Sequence, residues 1–194
     1  TIKSVVGINH ITEEDIELDK ISILKDPVKY KGEIAYVPDN PILYEHLTGI
    51  QYLNFIADMF DLTYKERENK IKEYAEKFEL YNDLNDLVSS YSHGMRQKLV
   101  LIGAFMHDPK LYVLDEPFVG LDPKASFTLK ELLREKAKEG KIIFFSTHVL
   151  DVAEKLCNRI AIIKDGKLIV DGDMNRIIKD KSLEETFMEL VVDE

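Results

Sequence analysis

The chain has 194 residues, 45% hydrophobic and 32% charged, with 36 acidic against 26 basic side chains and a net charge of −10. This length supports one domain, or one domain with a sizeable insertion, around a real core. The acidic balance, with lysines scattered among glutamates, excludes nucleic acid as the main partner. The longest apolar run, Leu99 to Met106, is far shorter than the roughly 20 residues of a bilayer span.

The opening "TIKSVVGINHITEEDIE" lacks the long apolar stretch and small-residue tail of a signal peptide. Strand candidates follow in "DIELDKISIL" (15–24) and "GEIAYVP" (32–38). From Thr48 to about Met106 the pattern is nearly all helical. Thr48 with Gln51, and Thr63 with Glu66, have capping-box spacing ahead of "GIQYLNFIADMF" and "YKERENKIKEYAEKFEL". The stripe Tyr52, Phe55, Ile56, Met59, Phe60 has helical spacing and reads mostly as core. In "SSYSHGMRQKLVLIGAF", Ser92 can cap a helix beginning at about Gly94, and a serine cap beside glycine leaves N–H groups free for an anion.

The C-terminal half carries three short β-rich runs, "KLYVLD" (110–115), "KIIFFS" (141–146) and "RIAIIK" (159–164). Helical patterns over 123–140 and 149–157 separate them, which predicts a parallel sheet of strands buried on both faces. Asp122 and Pro123 form a helix start and Gly140 a stop. Asp165-Gly166 predicts a hairpin within "IAIIKDGKLIVDG", and Ser182 with Glu185 forms a third capping box. The single cysteine, Cys157, reads as a small core residue and leaves no disulfide partner within the chain.

One stretch asks for chemistry. "LYVLDEPFVGLD" runs from an apolar strand into Asp115 and Glu116, then Asp122. The pair is either a polar turn closing the strand or a site for a metal and a water molecule. Parallel α/β sheets place ligands at the carboxyl ends of their strands, which favours the second. His148 follows the next strand; taken alone it would be a structural histidine, and beside the acidic pair it becomes a site candidate. His10, His46 and His107 are surface or core by default, and the five histidines have no metal-ligand spacing.

In order and spacing, "YSHGMRQK", "LYVLDEP", "GLDP" and "STH" resemble the signature motif, Walker B strand with catalytic glutamate, D-loop and switch histidine of ATP-binding cassette (ABC) proteins. "GEIAYVPDNPILYEHLTGIQYL" is similar to the family's Q-loop region leading into its helical subdomain. The resemblance covers essentially the whole chain. It implies an α/β, P-loop NTPase (RecA-like) parallel-sheet core over 1–47 and 107–194, with an inserted all-helical subdomain over 48–106 ending in the signature helix.

The resemblance further implies ATP and Mg²⁺ as cofactors. Asp115 would hold Mg²⁺ through water, Glu116 would orient or deprotonate the attacking water, and His148 would contact the γ-phosphate. Ser92, His93 and Gly94 would face a nucleotide held by a second ATP-binding subunit in a head-to-tail dimer, with Asp122 at the seam. A separate membrane permease would be the other partner, placing the chain in the cytoplasm on the inner face of the membrane. Part of the stripe over 52–60 would then be interface.

The chain departs from the family pattern in three places. It contains no phosphate cradle G-x-x-x-x-G-K-S/T: only Gly140 and Gly166 precede lysine, and Glu135 and Ala161 stand where the first glycine belongs. "TIKSVVGI" resembles the helix that follows the cradle, so the missing strands, adenine-stacking aromatic and P-loop are expected before Thr1, and these residues alone should bind ATP poorly. Asp39 stands where glutamine is usual, and could approach Mg²⁺ through water. His93 puts a side chain where close backbone approach is usual. The leading reading is a transporter ATPase. The alternatives are a non-hydrolysing partner lending its signature face to another subunit, and a soluble family member in translation or DNA repair.

Overall fold

A computed structural model describes residues 1–9, 15–179 and 181–192. They divide into two compact units, Thr1–Ser146 and Thr147–Glu194. The first begins with a short helix, α1 (Ile2–Val5), and two short strands, β1 (Glu17–Leu18) and β2 (Ile21–Ser22). The single strand expected over 15–24 is therefore a hairpin. Asp19 and Lys20 take φ of 51° and 64° and reverse the chain between antiparallel partners Leu18 and Ile21. Two consecutive positive φ values make the tight turn that suits twisted strands, here without the usual glycine.

Next come α2 (Pro27–Gly32), with Asp26 as cap and proline in its first turn, and β3 (Ile34–Val37). The helical stretch holds α3 (Gly49–Met59) and α4 (Tyr64–Lys77), and both predicted capping boxes form. The Thr48 N–H donates to Gln51 Oε1 at 2.9 Å, and the Thr63 N–H to Glu66 Oε2 at 3.0 Å. After them lie α5 (His93–Met106), β4 (Leu111–Asp115), α6 (Pro123–Lys138) and β5 (Ile142–Ser146).

Strands β3, β4 and β5 form a parallel sheet in that order, with Val37 opposite Leu114 and Asp115 opposite Ser146. Side chains alternate across β4. Tyr112 and Leu114 join a large core with Leu53, Leu101, Phe105 and Leu129 from α3, α5 and α6. Leu111 and Val113 join a smaller one with Val6, Leu18, Tyr30 and Ile34. Strand β4 is thus buried on both faces, as expected. β5 is not: Ile143 and Phe145 pack on the large core, while Ile142 and Phe144 are 52% and 37% exposed. As the outermost strand of three, it has one face covered among the described residues of its unit.

The second unit holds α7 (Leu150–Leu156), β6 (Arg159–Lys164), β7 (Lys167–Asp173), α8 (Met174–Ile178) and α9 (Leu183–Val192). "RIAIIK" reads both as a third strand of the parallel sheet and as the first arm of the Asp165-Gly166 hairpin; as β6 it is the hairpin arm, pairing antiparallel with β7. A two-residue link permits only that direction, and Asp165 and Gly166 make it with φ of 50° and 76°. Ala153, Met174 and Leu183 form this unit's small core, and Cys157 packs at its margin, where burial pushes the thiol up to about 11. The predicted cap of α9 forms, with the Glu185 N–H donating to Ser182 Oγ at 3.1 Å. His10 lies outside the described residues.

Asp108 anchors the start of β4. Its backbone takes a φ of 50°, and its two carboxylate oxygens accept from Lys136 Nζ and Lys141 Nζ, each at 2.9 Å. Lys136 is only 8% exposed, so its ammonium depends on Asp108 Oδ1 and on Glu139 Oε2, which accepts from it at 2.9 Å as well. Burial alone would raise the Asp108 carboxyl, but the two lysine donors outweigh it and hold it below the ordinary 3.8. A carboxylate depressed on folding contributes stability above its unfolded value and loses it as pH falls through the folded one. Asp108→Asn, which keeps the tolerance for a left-handed backbone, should cost about 1–3 kcal/mol in urea unfolding at neutral pH. The gap between variant and parent should close below about pH 4; equal midpoints at neutral pH would show that the lysines are satisfied without it.

Candidate functional site

The strand β4 delivers Asp115 at its last position, opposite Ser146. The Ser146 hydroxyl donates to Asp115 Oδ1 at 2.5 Å and accepts the Glu116 N–H at 3.2 Å. Glu116 has a φ of 48°, a left-handed conformation that costs a non-glycine residue about 1–2 kcal/mol and persists only when its surroundings impose it. Those surroundings are visible. Beyond the bond to Ser146, the Glu116 carbonyl accepts the Val119 N–H at 3.1 Å, and the Phe118 ring meets Phe145 of β5 edge-on at 6.0 Å. The acidic pair is thus a turn closing a strand and also a fixed presentation of carboxylates at a sheet edge.

Asp39 is exposed just beyond the end of β3, whose last residue, Val37, is level with Leu114. Burial pushes the Tyr36 phenol up, and the charges of Asp115 and then Asp39 push it further. Among the described residues no group of three or more His, Cys, Asp or Glu could hold a metal ion alone. Hard oxygen donors in ones and twos suit Mg²⁺, which keeps waters and takes its remaining ligands from substrate phosphates. The residues present fit that ion as partial ligands.

The second expected cluster also forms. Ser92 caps α5, its hydroxyl accepting the Met95 N–H at 3.2 Å. Gly94 lies against the loop that follows Glu116: a Cβ there would sit 2.8 Å from the Gly120 carbonyl oxygen. The unusual His93 lies over the same glycine, since a Cβ on Gly120 would fall 2.3 Å from His93 Cδ2. Asp122 caps α6 with Oδ1, accepting the Ala125 N–H at 2.8 Å, and its Oδ2 pairs with Lys98 Nζ at 2.7 Å. The Lys98 ammonium, then the Ala125 amide, hold the Asp122 carboxyl below the usual range. Asn40, Pro41, Tyr91, His93 and Arg96 line a pocket of about 320 Å³ beside this helix start.

The structure brings Asp39, Asp115 and Glu116 to one edge, and Ser92, His93, Gly94 and Asp122 to the α5–α6 junction. His148 belongs to the second unit, two residues past Ser146 in the chain, exposed and just ahead of α7. Of the stripe over 52–60, Tyr52, Ile56 and Phe60 are half-buried, while Phe55 and Met59 are exposed. Tyr44 meets Phe55 edge-on at 5.7 Å and is itself exposed, as is Ile42. Of the default histidines, His46 is exposed, and His107 is stacked on Phe60 at 3.7 Å. Reading the sequence alone missed Ser146, Lys98 and Gly120. Their signal is the strand register and the helix–loop approach, both long-range.

Comparison with known proteins agrees with this arrangement. The family model described as ABC transporter matches residues 1–119. The ABC-type transporter ATP-binding protein EcsA of Bacillus subtilis (strain 168) is 32% identical over 98% of this chain and 79% of its own length. The uncharacterized ABC transporter ATP-binding protein YhcH of the same organism is 37% identical over 95% of this chain, which spans 59% of YhcH. A solved structure described as an ATP binding subunit of an ABC transporter superposes with a TM-score of 0.93 at 32% identity, covering 97% of this chain and 81% of that one.

The His93–Gly120 contact gives a direct test. Gly120 has a φ of 77°, so Gly120→Ala meets both backbone strain and the imidazole ring. It should cost about 2–3 kcal/mol in chemical denaturation alone and about 1–2 kcal/mol in a His93→Gly background, where only the strain remains. Equal costs in the two backgrounds would mean that the ring does not occupy this space.

Proposed function

The chain belongs to the ABC transporter family, and we propose that it serves as the ATP-hydrolysing subunit that energises a separate membrane permease. The observation that carries this reading is the pair Asp115 and Glu116 at the end of a parallel strand, with the Asp115 carboxylate and the Glu116 N–H both held by the Ser146 hydroxyl. When bound, Mg²⁺ would neutralise charge on the β- and γ-phosphates and so lower the barrier to phosphoryl transfer.

In this reading Asp115 holds the ion, through water, and Asp39 offers a second carboxylate at the same edge. Glu116 orients the attacking water and accepts its proton. His148 contacts the γ-phosphate. Ser92 and Gly94 present the first-turn N–H groups of α5 to a nucleotide held by a second ATP-binding subunit, head to tail. His93 and Asp122 shape that seam, one by covering Gly120 and the other by tying α6 to α5 through Lys98. The phosphate cradle that hydrolysis needs is not among these 194 residues, so the reading requires one supplied from outside them.

We assign 1–47 and 107–194 to the nucleotide-binding core and 48–106 to a helical subdomain. The exposed apolar residues Ile42, Tyr44, Phe55 and Met59 support a permease contact at the border of the two. No helix among the described residues is long and apolar enough to cross a membrane. In this reading the permease holds the subunit on the inner face of the membrane.

In the full-length protein, Glu116→Gln should lower phosphate release by about 10²–10⁴-fold while ATP binding, measured by equilibrium dialysis, persists. Unchanged turnover would remove the role given to Glu116. Absence of hydrolysis in the parent protein, with ATP still bound, would favour the non-hydrolysing partner instead.

A further inference from the structure

We propose that Ser146 is a positioning residue of this site, its hydroxyl setting the carboxylate of Asp115 and the backbone of Glu116 together. The proposal rests on the reading of Asp115 as the ion-holding group. The direction of each bond follows from chemistry. A backbone amide only donates, so the Glu116 N–H at 3.2 Å must give its proton to Ser146 Oγ. The serine's own proton is then directed at Asp115 Oδ1, 2.5 Å away, in a short bond of the charge-assisted kind.

One side chain therefore does two things. It fixes the Asp115 carboxylate by Oδ1, and among the described residues the structure shows no hydrogen bond to Oδ2, which is left for a cation or its water. It also supplies the acceptor that the Glu116 amide loses when the chain turns out of the sheet at a φ of 48°. Without that acceptor the turn has less to hold it, and Glu116 would no longer leave the strand at a fixed angle. Because Asp115 and Ser146 form the last rung of the β4–β5 ladder, the geometry is set by rigid strands and not by a loop. Groups that orient a metal-holding carboxylate typically change metal affinity by about 10–100-fold when removed.

The test uses the full-length protein with Mn²⁺ as probe, followed by the loss of its free EPR signal in the presence of ADP. Ser146→Ala should raise half-saturating Mn²⁺ by about tenfold, while ADP binding in EDTA stays unchanged. Ser146→Thr, which keeps the hydroxyl, should restore the affinity. Asp115→Asn serves as the control for the underlying reading and should weaken Mn²⁺ at least as much. If Asp115→Asn weakens Mn²⁺ and Ser146→Ala does not, the positioning role is overturned and the metal assignment stands. If Asp115→Asn leaves Mn²⁺ binding intact, the assignment and the proposal both fall. A threonine variant as weak as alanine would also overturn it, since the hydroxyl would then not be the active feature. Should Ser146→Ala fail to fold, the nearly isosteric Ser146→Cys, a weak donor, carries the same comparison.

Discussion

The parallel pairing of Leu111–Asp115 between Ile34–Val37 and Ile142–Ser146 is the constraint on which the rest of this molecule depends. Burial of Leu111, Tyr112, Val113 and Leu114 in two cores, at about 1.5–3 kcal/mol for each large side chain, fixes the strand's register. Once that register is set, Asp115 has to emerge at the sheet edge beside Ser146, and Glu116 has to turn away from it. The Asp108–Lys136–Lys141 cluster holds the other end of the same strand. A carboxylate pair in such a position is costly to present by chance and useful when a cation must be met at a fixed point.

From that edge the chain runs to Asp122, pinned by Ser146 and Phe145 at its start and by Lys98 at its end. Gly120, between them, accepts the close approach of His93 and Gly94. The acidic edge and the start of α6 are therefore two ends of one braced loop, on which the start of α5 packs. A disturbance at either end has a short physical route to the other, through packed side chains and two ion or hydrogen-bond contacts. His93, which departs from the family's usual glycine, is accommodated here because the residue beneath it has no side chain.

Local chemistry was legible in the sequence wherever a few neighbouring residues decide the outcome. The capping boxes of Thr48, Thr63 and Ser182, the caps Ser92 and Asp122, and the Asp165-Gly166 turn all form as read. The ordered motifs around Asp115 and Glu116 pointed to the family that the comparisons then bear out. What was not legible depends on distant partners or on unusual turn chemistry. Asp19-Lys20 turns without glycine, and β5 is half-exposed because of where it falls in the strand order. Ser146 stood inside two quoted motifs, yet only the register shows that its hydroxyl meets Asp115.

The account's central claim is that a divalent cation is held at the end of Leu111–Asp115. Replacing Mg²⁺ with Fe²⁺ in the ATP-bound full-length protein, and adding ascorbate and peroxide, cuts the backbone beside the metal. The account predicts cleavage at Asp115–Glu116 and near Asp39, suppressed by excess Mg²⁺. Mg²⁺-sensitive cleavage confined to other parts of the chain, with Asp115–Glu116 left intact, would contradict it.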